Sequence, residues 1–234
     1  MSPASKRHTE GLRRILVINP NTNSQVTDRV RELATRHSGP TLQFDVINPD
    51  HGPVSIETES DKQLAEKQIL RLVEHHATSC YDAYVFACFD DLALQAARKM
   101  VQVPVIGCCE AGIAAARAVS PSLAIVTTFD AALPGIRSMM QRYGAGDLAT
   151  ARAAGIGVAE AARHEPKTSE RILLAVQAAV REDAARVVLL ASGGLAGLAD
   201  DLTRRAGVPV VDSVEAALHV AAQAARPSAV AANL

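Results

Sequence analysis

The chain has 234 residues, 48% of them hydrophobic and 21% charged. That composition supplies a core for one large domain or two of about 110 residues each, and it excludes disorder, collagen and a coiled coil. Lys+Arg 24 against Asp+Glu 25 gives a net charge of -1, and there is no Trp, so neither the basic excess nor the stacking aromatics of a nucleic-acid binder are present.

From the N-terminus, residues 1–14 are basic and polar, without the apolar core of a signal peptide, and are expected to be flexible, as are residues 226–234. Strand-like apolar runs follow at 15–19, 42–47, 84–88, 103–106, 123–127, 151–157, 187–191 and 208–211. Between them, apolar residues recur at helical spacing, as in Val26, Val30, Leu33 and Ala34, or Ile172, Leu173, Val176 and Val180. Short apolar runs alternating with helices predict an α/β fold with parallel sheets covered on both faces. No apolar stretch approaches the ~18 residues of a membrane span. Four cysteines at unpatterned spacings predict a reduced, cytoplasmic chain rather than a disulfide framework.

The chain repeats itself. Ser192 lies 104 positions after Cys88, Pro209 lies 105 after Pro104, and Glu215 lies 105 after Glu110. Each half therefore reads as four strands and four helices, and a period of ~105 residues implies two related α/β lobes rather than a solenoid. The lobes are expected to span residues 15–112 with 210–225, and 113–209, with four-stranded parallel sheets.

In open parallel sheets, ligands bind beyond the carboxyl ends of the strands, and two facing lobes can bring those ends to one cleft. The candidates are the residues just after the apolar runs: Asn19, Cys88 with Phe89, Asp90 and Asp91, Thr127 with Thr128, and Ser192 with Gly193 and Gly194. There is no Gly-x-Gly-x-x-Gly, no Walker loop and no pair of Cys or His at metal spacing. The expected site is free of cofactor and metal. Cys88 ends a strand before a predicted helix start, where backbone N–H groups and the helix dipole favour a thiolate; the alternative is a small buried apolar side chain. Ser192 stands at the equivalent place in the second half.

The strings Ile15-Leu-Val-Ile-Asn-Pro-Asn-Thr-Asn, His51-Gly-Pro-Val-Ser-Ile-Glu, Ala87-Cys-Phe-Asp-Asp and Val126-Thr-Thr resemble the aspartate/glutamate racemase superfamily, and its hydantoin and allantoin racemase branch in particular. The resemblance runs from about Ile15 to Ala222. It implies two Rossmann-like lobes related by a pseudo-twofold, a cleft between them, no cofactor, a homo-oligomer and a small-molecule substrate. It also implies a pair of cysteines acting as thiol and thiolate, the first at Cys88. The second family position holds Ser192, whose hydroxyl is a far weaker acid. Three explanations stay open: an engineered Cys→Ser change, a natural divergence to one-sided chemistry, or rescue by another group.

The expected activity is a racemase or epimerase exchanging the proton on a carbon next to a carbonyl, in a hydantoin-type ring or an amino-acid-like substrate. Alternatives are a one-cysteine decarboxylase or isomerase, similar to arylmalonate decarboxylase or maleate isomerase, and a catalytically weakened binding homologue. Cys88 and Ser192 are the catalytic candidates. Asn19, Phe89, Asp90, Thr127, Thr128, Gly193 and Gly194 are the candidates for holding substrate. Asn and Thr at strand ends also serve local turns, and Asp90 and Asp91 also suit the cap of the following helix. Glu57 reads either as a gate residue or as an exposed acid. Cys80, Cys108, Cys109, His75 and His76 read as structural or solvated, and the Ala-rich segments 114–118 and 221–225 as surfaces for close packing against a neighbour.

Overall fold

The structure, a computed structural model, describes residues 11–225. The expectations for residues 1–10 and 226–234 lie outside it. In chain order the elements are β1 (Arg13–Ile18), α1 (Ser24–His37), β2 (Leu42–Ile47), α2 (Glu59–His76), β3 (Ala83–Phe86), α3 (Leu94–Met100), β4 (Val105–Gly107) and α4 (Cys108–Val119). The second half runs β5 (Leu123–Thr127), α5 (Leu133–Arg142), β6 (Ala149–Ala153), α6 (Val158–Ala162), α7 (Pro166–Glu182), β7 (Val187–Leu190), α8 (Ala199–Ala206), β8 (Val210–Asp212) and α9 (Ser213–Ala224). The strands form two all-parallel sheets, ordered β2-β1-β3-β4 and β6-β5-β7-β8. This is the α/β architecture read from the sequence, with the same order in each half.

Central strands are apolar throughout because helices cover both faces. Ile15, Leu16, Val17 and Ile18 are fully buried in β1, as are Val187, Val188 and Leu189 in β7. The strands after Pro104 and Pro209 begin later than the apolar runs suggest. Neither proline has an N–H for the ladder, yet each gives its carbonyl to the neighbouring strand, accepting from Tyr84 and Val188 N–H at 2.9 and 3.0 Å. Two further expectations need correction. Arg13 and Arg14 belong to β1: the Arg14 N–H donates to Asp82 at 2.8 Å, and the Arg13 guanidinium donates to the Ala222 carbonyl at 2.8 Å. The boundary expected at residue 210 also shifts, because Val210–Asp212 pair with β7 in the second sheet.

The chain instead crosses to the first lobe with α9, whose Val214, Ala217, Leu218 and Ala221 pack with Val17 and Val85 of the first sheet. In the mirror-image exchange, Cys109, Ile113 and Ala116 of α4 pack with Leu123, Ile125 and Leu189 of the second. The Ala-rich helices therefore find their close neighbour within the chain, in each other. Gly112 marks the contact: a Cβ there would lie 3.0 Å from Ser213 Cβ and 2.9 Å from Leu189 Cδ1.

The two exchanged helices are capped by the same chemistry from different places. On α9 the N-cap Asp212 accepts from Val214 N–H at 2.8 Å and from Gly197 N–H at 2.6 Å. On α4 the N-cap is Gly107, and a Cβ there would lie 2.3 Å from the Asp91 carboxylate. Asp91 supplies the cap from the preceding loop, accepting from Cys109 N–H at 2.9 Å, Glu110 N–H at 3.1 Å and the Tyr143 hydroxyl at 2.8 Å. Burial pushes both carboxyls up to about 6, against the pull of these donors. Asp91 thus caps α4 and not α3, whose start at Ala93 has no side-chain cap. Asp91→Ala should cost about 2 kcal/mol of stability in urea unfolding. Adding Gly107→Asp, which rebuilds the arrangement of the second lobe, should restore about half of it; no recovery would assign the loss to the Tyr143 bond.

Candidate active site

In the strand order 2-1-3-4, neighbouring connections leave β1 and β3 in opposite directions, and a crevice opens at their carboxyl ends. Both sheets have this switch point, and the two crevices meet in one cleft. The first lobe contributes Asn21, Ile56, Glu57, Lys62 and Ala87–Asp90; the second contributes Thr127–Phe129, Ala131–Ala132, Gly135–Ile136, Val158 and Ala191–Gly193.

The duplication extends to single hydrogen bonds. After β3, the Ala87 N–H donates to the Ile18 carbonyl at 2.9 Å, and Cys88 follows. After β7, the Ala191 N–H donates to the Val126 carbonyl at 2.8 Å, and Ser192 follows. Cys88 and Ser192 are therefore set by equivalent backbone, and both line the cleft. Gly193 makes the approach of the lobes possible, since a Cβ would lie 3.0 Å from the Ala87 carbonyl oxygen. The Ser192 hydroxyl accepts from the Gly194 N–H at 3.3 Å, capping the short 3-10 turn Gly193–Leu195.

The electrostatics of Cys88 differ from the expectation of a helix-stabilised thiolate. The turn after β3 runs on, and α3 does not begin until Leu94. Removal from bulk water pushes the thiol pKa up, the Asp90 and Asp91 charges push it further, and only the Asp90 N–H and the Lys62 ammonium oppose them. The resting group is a protonated thiol. Asp90 is paired with Lys62, Nζ to Oδ1 at 2.6 Å. Burial works against the Lys62 ammonium, but this bond and the charges of Asp90 and Glu59 outweigh it and raise its pKa.

The other candidates separate clearly. Thr128 is fully buried, lines the cleft, and its hydroxyl has no partner. A buried hydroxyl without a partner is costly, and a bound molecule in the cleft would satisfy it. Thr127 also lines the cleft but donates to the Ala191 carbonyl at 3.1 Å, tying β5 to the Ser192 turn. Phe89 borders the cleft while packing into the core of the second lobe with Ile136 and Ala191. Asn19 is not in the lining. Its amide donates to Asn21 Oδ1 and Thr27 Oγ1, each at 3.0 Å, and its carbonyl accepts from Asn21 N–H at 3.3 Å. Turn chemistry takes the whole side chain, and Asn21 faces the cleft in its stead. Gly194 faces away as well, towards α6, where a Cβ would lie 2.8 Å from the Val158 carbonyl oxygen. Lys62, in the first turns of α2, carries no signal in the sequence, where it stands in a polar stretch with Glu59, Ser60 and Asp61. Glu57 bridges the lobes at the cleft mouth, accepting from Val158 N–H at 3.2 Å and from the Ser55 hydroxyl at 2.7 Å.

Two facing parallel sheets thus bring a thiol and a hydroxyl, at matched strand ends, to one cleft. The chain belongs to the Asp/Glu/hydantoin racemase family, whose model matches residues 15–221. Hydantoin racemases from Paenarthrobacter aurescens and Rhizobium meliloti are 35% and 34% identical to it, over 89% and 88% of this chain and 89% and 86% of their own. The structure of allantoin racemase from Klebsiella pneumoniae superposes with a TM-score of 0.87 at 32% identity, covering 92% of this chain and 90% of that one. Racemases are isomerases, and the chain takes its place among them. Among the described residues, no helix is long and apolar enough to cross a membrane.

The raised pKa of Cys88 has a direct chemical readout. At neutral pH iodoacetamide should modify the exposed Cys80 at least about tenfold faster than Cys88, and the Cys88 rate should still be climbing above pH 9, followed by peptide mass mapping. A plateau for Cys88 near neutrality would mean a stabilised thiolate.

Proposed function

We propose that the cleft binds a hydantoin-type five-membered ring and inverts the carbon next to its carbonyl, with Cys88 on one face and Ser192 on the other. The observation that carries this reading is the matched delivery of Cys88 and Ser192 from equivalent strand ends into one cleft. The homology to hydantoin and allantoin racemases supports the ring as substrate.

The chemistry follows from the groups present. The Cys88 thiolate, a minor but strongly basic form, takes the proton from the ring carbon. The C–H electron pair moves onto the carbonyl oxygen, giving an enolate. The free Thr128 hydroxyl and the Gly193 N–H are the donors that would hold its charge, the contribution usually worth most. A proton returned by Cys88 restores the original configuration. A proton delivered from the Ser192 side inverts it, and that delivery is slow because a serine hydroxyl is a far weaker acid than a thiol.

In deuterated water, exchange of the ring proton should therefore outpace loss of optical rotation for one enantiomer. Cys88→Ala should reduce exchange by ~10²–10⁴-fold, and Ser192→Cys should accelerate racemisation by about 10²-fold, bringing the two rates together. Retained exchange in Cys88→Ala would remove the thiol from the mechanism. Carbon dioxide release from a disubstituted malonate, with no exchange on hydantoins, would replace racemisation by one-sided decarboxylation.

A further inference from the structure

We propose that His37, Glu215 and His219 form a binding site for a divalent metal ion of the zinc class, on the face of the first lobe opposite the cleft. The ligand atoms of these three side chains all lie within 4.8 Å of one another. His37 is the last residue of α1, while Glu215 and His219 stand four apart on α9, so one helix face presents both. The His37 Nε2 and Glu215 Oε1 are already 2.8 Å apart, and the two imidazoles meet edge to face with centroids at 4.6 Å.

The donor set is two imidazoles and a carboxylate, the combination that binds zinc with a water in the fourth place. At zinc–ligand distances of about 2.1 Å, tetrahedral ligand atoms sit roughly 3.4 Å apart. The observed separations bracket that value. His219 is exposed and free to turn, whereas Glu215 and His37 are half-buried and held. The ion would take the place of the hydrogen bond between His37 Nε2 and Glu215 Oε1. With α1 14 residues long, its rise of about 1.5 Å per residue sets this site about 20 Å from the loop that borders the cleft. The ion would have no part in proton transfer. Its effect is mechanical, since it joins α1 to the helix that crosses over from the second lobe.

In the sequence, Glu215-x-x-x-His219 is a carboxylate–imidazole pair with no second imidazole beside it. His37, 178 residues from Glu215, comes into reach only through the crossing of α9.

The test uses the full chain, freed of metal with a chelator and titrated with Zn²⁺ alone by calorimetry and thermal melting. One equivalent should bind and raise the melting temperature. His219→Ala, at an exposed position, should leave the metal-free melting temperature unchanged, weaken binding at least about tenfold and abolish the rise. Glu215→Gln should weaken binding likewise, whereas Cys88→Ala should keep it. Co²⁺ in place of Zn²⁺ should give a visible spectrum without a thiolate charge-transfer band. Unchanged binding in His219→Ala, a thiolate band, or no binding by the unmodified chain would overturn the site.

Discussion

The exchange of α4 and α9 between the lobes is the constraint on which the rest depends. Each sheet needs helices on both faces, and each takes one of them from the other half of the chain. The lobes cannot separate without stripping apolar surface from both, so their relative position is fixed by core packing and not by a flexible hinge. Fixed lobes are what allow Cys88 and Ser192, on different sheets, to address one bound molecule. The exchange requires small residues where α4 meets α9, which accounts for Gly112 and the alanines around it.

The cleft gathers polar groups that the rest of the interior excludes, and most of them are already committed. Lys62 holds Asp90, and Thr127 holds the Ser192 turn. Among the described cleft residues, the buried Thr128 hydroxyl is left without a partner. The acidic pair beside Cys88 favours the protonated thiol, so the thiolate that takes a substrate proton is a minor and strongly basic form. The ion pairing of Asp90 with Lys62 balances the charge on one side of the cleft, while Glu57 keeps a carboxylate at its mouth.

Much of this was legible in the chain. The eight strands follow from apolar runs between helical periods, and the two lobes from the repeat linking Cys88 to Ser192 and Pro104 to Pro209. The matched strand ends follow from the same repeat. What the sequence concealed depended on side-chain direction and on contacts across the lobes. Asn19 and Asn21 are indistinguishable by type, and only the turn shows that the first is consumed internally while the second faces the cleft. Asp91 looks like a cap for the nearest helix, yet it serves α4, because Gly107 leaves the space its carboxylate fills. The Cys88 environment depends on where α3 begins and on two carboxylates, neither of which helical periodicity reports. Lys62 was hidden in a polar helix start.

The exchange of helices also orders events on the ribosome. When residues 13–107 have emerged, the face of their sheet bearing Val17 and Val85 has only α1 to shelter it, because the helix that completes its cover is the last of the described chain to be made. The first lobe must therefore wait, with a greasy flank uncovered, until the second has been translated.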